Sequence, residues 1–122
     1  MHKLLTCLAV AFVLTFAGCG EPPESADTAL ARVNAAQEAF DRAEEAYETE
    51  RVKAKESIAT VESLASYALQ NGDEEQLKSH LTSVKQRKVD WEQMEEGLIT
   101  ERGEARFRLD EAKRLLKEAE SR

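Results

Sequence analysis

The chain has 122 residues, a formal net charge of −7, and 34% charged against 6% aromatic residues. That length holds at most one domain, and the acidic balance provides no basic stripe of the kind that gathers phosphates, which argues against nucleic acid and against a purely electrostatic grip on anionic lipid. Beyond residue 20 the sequence is dense in Glu, Ala, Lys and Arg and nearly free of Gly and Pro, the composition of long helices rather than of a mixed fold.

In chain order, Met1, His2 and Lys3 precede an apolar run, LLTCLAVAFVLTFA, over residues 4 to 17. One cation followed by a run of this length is the layout of a secretory signal. It falls short of the roughly 20 residues a membrane-spanning helix needs, and no basic flank follows it. Ordinary signal cleavage wants small residues at the last and third-last positions; Gly18 suits the last, whereas Phe16 does not suit the third-last. Phe16-Ala17-Gly18-Cys19 resembles instead the lipobox of bacterial lipoprotein precursors, in which an apolar residue and two small ones precede a cysteine. Phe16 stands where Leu is commonest in that pattern.

The resemblance implies a diacylglyceryl group on the Cys19 sulfur, cleavage between Gly18 and Cys19, and Cys19 as the new N-terminal residue. The competing reading is a chance cysteine after a plain signal peptide or an uncleaved anchor. The lipid reading accounts for both cysteines: Cys7 leaves with the signal and Cys19 carries lipid, so no thiol is left for a disulfide. Loss of residues 1–18 removes Lys3 and no acid, taking the formal charge from −7 to −8. Gly20 rather than Asp after the cysteine is compatible, by the family's sorting rule, with an outer membrane facing the periplasm in a cell with two membranes. Residues 19–25 then form the lipidated cysteine and a short tether, in which Pro22 and Pro23 hold the backbone extended.

The remainder, residues 26–122, has one strong interruption. Asn71 and Gly72 suit a left-handed helix stop, and Asp73 with Gln76 three places on resembles a capping box. The spacing predicts a helix over 26–70, a turn at 71–73 and a second helix over 74–120. So short a turn makes the fold all-α: an antiparallel two-helix coiled-coil hairpin, with pairing of two hairpins into a four-helix bundle as a further expectation.

Steps of three and four select a seam that runs Val33, Ala36, Phe40, Ala43, Tyr47, Glu50, Ala54, Ser57, Val61, Leu64 and Ala68 in the first helix. In the second it includes Leu77, Leu81, Val84, Lys88, Trp91, Glu95, Arg102, Ala105 and Leu109. Folding at the turn sets opposite one another residues whose numbers sum to 145, so large meets small: Trp91 faces Ala54, Phe40 faces Ala105, Leu109 faces Ala36. Arg51 and Glu92 fall near ion-pair distance. The middle of the seam is polar, with Ser57 opposite Lys88 and Glu50 opposite Glu95, and the helical Gly97 and Gly103 weaken it further. Leu30, Ile58 and Ile99 lie on one flank of the seam, and Met94 and Leu115 on the other. Ile58, Glu95 and Ile99 are the candidate partner contacts.

No chemistry-bearing constellation is found. His80 is the one histidine beyond the signal and is expected to be solvated near the hairpin tip; no metal set, nucleophile motif, cofactor loop or EF-hand spacing accompanies it. The expectation is a non-enzyme without cofactor, metal or small-molecule substrate. It is an exported lipoprotein held to the cell envelope through Cys19, its hairpin binding another protein or itself. Two alternatives stand beside it: a passive structural spacer, and an accessory lipoprotein of a phage or plasmid acting in exclusion or lysis.

Overall fold

The computed structural model describes residues 24–122. The signal segment, Gly18, Cys19 and most of the tether lie outside the described residues. Two helices make up almost all of the rest: α1 (Ala26–Gln70) and α2 (Glu74–Glu120), packed against one another along their length. They run antiparallel, since Phe40 near the start of α1 meets Arg106 late in α2, while Ser57 further along α1 meets Arg87 earlier in α2. The chain forms an all-α helical hairpin, with no strand among the described residues.

Local chemistry sets each helix end. Ser25 caps α1, its hydroxyl accepting from the Thr28 amide at 3.3 Å. At the turn, Gly72 takes a φ of 69°, a conformation that costs glycine little. The Asp73 amide donates to the Ala68 carbonyl at 3.0 Å and the Gly72 amide to Leu69 at 3.2 Å, the double closure of a Schellman stop. Asp73 then caps α2 by accepting from the Gln76 amide at 3.1 Å. Only this half of the expected capping box forms. The Asp73 N–H that Gln76 would have to accept from is already committed to Ala68.

The seam follows the expected register over most of its length, and the inter-helix contacts fall on either side of the constant sum of 145. Near the tip it shifts. Leu64 and Leu81 turn outward, 47% and 54% exposed, and their places are taken by Ala65, which is buried, and His80, which is half-buried rather than solvated. Here α1 takes two successive steps of four, Ser57-Val61-Ala65, with Val84 and His80 at the levels of Val61 and Ala65 on α2. Such steps exceed the mean turn of about 3.6 residues, whereas a strict heptad undershoots it.

The resulting core is small in side-chain volume. Its buried members are Ala29, Val61, Ala65, Ala68, Val84, Ala105, Leu109 and Ala112. Alanine brings the helices close but removes little apolar area from water per residue. Larger side chains line the outside: Tyr67, Leu69 and Phe107 are each at least 65% exposed. Phe40, opposite Ala105, is only half-buried and borders a surface groove under the Arg106 guanidinium. Its truncation therefore costs less than the loss of an enclosed ring.

Candidate functional site

The middle of the hairpin, polar in sequence, is organised around Tyr47. Its ring lies 6.2 Å from that of Trp91, tilted by 47°, and the Arg102 guanidinium sits 4.6 Å from the centre of the Tyr47 ring, within range of a cation–π attraction. The Tyr47 hydroxyl donates to Glu95 Oε2 at 3.0 Å. Glu50 and Glu95, expected opposite one another, each have another partner. Tyr47 lies one turn from Glu50 on the same stripe and occupies Glu95, while Glu50 accepts from Lys53 at 3.5 Å within α1.

Two other expected pairs are replaced in the same way. Ser57 receives Arg87, whose Nη1 donates to its carbonyl at 3.0 Å, while Lys88 reaches sideways to Glu62 at 3.6 Å. Arg51 pairs with Glu48 at 2.9 Å instead of crossing to Glu92. Long flexible side chains at one level have several partners within reach, and neighbours in the same helix cost the least ordering entropy.

The hydrogen bond to Glu95 is the main cause that raises the Tyr47 pKa above its ordinary 10.0, with burial and the Glu95 charge adding to it and Arg102 and Arg51 opposing. The neutral phenol is the donor, so a raised pKa means this contact contributes fully below pH 10 and is lost as pH rises through the raised value. In a spectrophotometric titration of the wild type, one tyrosine is expected to ionise later than a free phenol. Tyr47→Phe is expected to abolish that late component and to differ from wild type in thermal stability at neutral pH but not above the titration.

Ile58 and Glu95 are brought together. Both line a groove of about 480 Å³ between the helices, with Arg51, Lys55, Glu62 and Trp91. Ile99, 45% exposed, borders a neighbouring groove on the same face with Phe40, Arg102 and Arg106. Toward the tip the Ile58 groove passes, by way of Glu62, into one of about 370 Å³ floored by Ala65, Leu69, Leu77, Leu81 and Val84. That tip region was not among the sequence candidates. Its signal is a charge run: from Gln76 to Val89 the chain carries Lys78, Lys85, Arg87 and Lys88 and no carboxylate, inside an otherwise acidic sequence. Cys19 and Gly18 lie outside the described residues.

Among the described residues no group of three or more His, Cys, Asp or Glu side chains is placed to hold a metal ion, and no helix is long and apolar enough to cross a membrane. Comparison with protein-family models, with curated proteins and with solved structures finds no match.

Proposed function

We propose that the protein is an exported lipoprotein, anchored to the cell envelope through lipid on Cys19, whose helical hairpin binds another protein through its exposed apolar flanks. The observation that carries the binding half is the inverted distribution of apolar size. The core consists of five alanines, two valines and one leucine, whereas Leu64, Tyr67, Leu69, Leu81, Met94 and Ile99 are each 45% exposed or more. Exposed apolar residues on this scale along one narrow body mark an interaction surface, and a two-helix unit with an alanine core gains most of its missing burial by docking.

The anchoring half is supported by the lipobox-like Phe16-Ala17-Gly18-Cys19 at the end of an apolar run too short to span a bilayer. A 45-residue α1 holds the turn about 65 Å from its own start, so the hairpin reaches well beyond the headgroup layer when oriented away from it. No side-chain set for catalysis is part of this reading. The experiment is in-cell photocrosslinking of the full chain from probes at Ile58, Glu95 and Ile99. A discrete adduct with another protein is expected; a passive spacer gives no residue-specific adduct.

A further inference from the structure

The face that carries Ile58 has more definition than a general apolar flank. The two grooves described above meet at Glu62 between the helices, and a third of about 330 Å³, lined by α2 alone, adjoins them at the tip through Leu77 and Leu81. On α1 the trough runs from Arg51 to Leu69, which is about 27 Å, or five turns of a helix laid alongside. Its apolar lining falls in two stretches, Trp91 and Ile58, then Ala65, Val84, Leu69, Leu77 and Leu81, with the Glu62–Lys88 ion pair at 3.6 Å between the helices where the two grooves meet. Two parallel ridges with an apolar valley between them are the receiving half of a three-helix packing.

The rim has a sign. Arg51, Lys55, Lys78, Lys85 and Lys88 border the three grooves, against Glu62, Glu74 and Glu95. Two of the three carboxylates are engaged within the hairpin, Glu62 by Lys88 and Glu95 by Tyr47. Lys55, Lys78 and Lys85 have no ion pair among the described residues. A protein with 24 acidic and 17 basic residues thus presents five cations against three carboxylates around this trough. A second copy docked by the same face would set these lysines against their equivalents, a like-charge arrangement that works against pairing.

We propose that this trough receives an amphipathic α-helix of another protein whose apolar stripe is bordered by carboxylates. The inference rests on the partner-binding reading above and specifies its surface and the chemistry of its occupant. Apolar anchors of the incoming helix fill the valley between Leu69 and Trp91, and its flanking Glu and Asp meet Lys55, Lys78 and Lys85 across the rim. Charge at the rim sets partner choice, and the apolar floor supplies affinity.

Trp91 is the only tryptophan and lines the trough, so its fluorescence reports occupancy. The test uses the full chain in phosphatidylcholine vesicles and two designed peptides of about five helical turns. Both carry the same leucine stripe, flanked by glutamates in one and by lysines in the other. The glutamate peptide is expected to shift Trp91 emission saturably and to bind at least about tenfold more tightly than the lysine peptide, with an advantage that shrinks in high salt. Lys55→Glu with Lys85→Glu is expected to reverse the order of the two peptides while leaving helicity unchanged, because neither lysine holds an ion pair in the hairpin. No saturable shift, equal affinities, or an unchanged order in the double variant overturns the proposal. Any of these three failures leaves the in-cell adducts from Ile58, Glu95 and Ile99 untouched, so the trough and the wider binding reading fall separately.

Discussion

Leu109→Ala is expected to destabilise the hairpin by about 3 kcal/mol, the scale of a buried leucine truncated into a cavity. Leu109 is 4% exposed and is the only buried leucine among the described residues; its companions toward the open end are Ala29, Ala105 and Ala112. Alanine neighbours have no side-chain freedom with which to close on the void, so the site relaxes little. A domain of this size is stable by roughly 5–15 kcal/mol, and a two-helix unit with so small a core belongs at the low end. The variant is therefore expected to melt at a far lower temperature when helicity is followed by circular dichroism. In the hairpin register Leu109 stands at the level of Ala36, which is half-buried. Adding Ala36→Leu to Leu109→Ala returns the lost volume from the other helix and is expected to recover part of the stability, as volume-conserving exchanges do. An unrelated pairing of the helices gives no such recovery.

Cys19→Ala has the second large expected effect, on location rather than on folding. Each buried methylene of an acyl chain contributes about 0.8 kcal/mol to membrane binding, so two chains hold a protein stably where one is marginal. Without the thiol no acyl chain is attached, and neither helix offers a substitute, since neither is apolar enough to span. Wild-type protein is expected in the membrane fraction with a lipid-modified N-terminal cysteine by mass spectrometry, and Cys19→Ala in the soluble fraction. Because Cys19 lies seven residues before α1 begins at Ala26, the variant is expected to keep the wild-type helicity. A soluble wild type, or a wild type without lipid on Cys19, contradicts the anchor.

The two helices, their limits and their register were legible because the signals were local and redundant. Asn71, Gly72 and Asp73 specify the stop and the restart through backbone conformation and capping, and the spacing of Val33, Ala36, Phe40 and Ala43 repeats one choice many times. The tip was less legible. Ala65 and Leu64, or His80 and Leu81, are adjacent in sequence, and which one faces the partner helix depends on whether the local step along the seam is three residues or four. Hydrophobicity alone selects Leu64 and Leu81, yet close helix approach selects Ala65 and leaves both leucines outside.

The polar waist misled for a different reason. Residue spacing places side-chain origins, whereas Arg87, Lys88, Arg51 and Glu95 have reach enough to choose among several partners. Tyr47 captured Glu95 and Arg87 captured Ser57, and neither choice is encoded in a heptad. The basic trough on the Ile58 face combines both effects: leucines displaced outward by the seam shift and lysines that no carboxylate in the hairpin engages. Its charge run from Lys78 to Lys88 was visible in the sequence, but its apolar floor required the positions of Leu69, Leu77 and Leu81.

The most direct test of the account is residue-specific photocrosslinking in living cells from Ile58, Glu95 and Ile99, with adducts identified by mass spectrometry in wild type and in Cys19→Ala. An anchored binding hairpin predicts one abundant adduct with another protein, formed from this face and strongly reduced when Cys19 is replaced. Self-adducts alone, no residue-specific adduct, or a yield indifferent to Cys19 would contradict it.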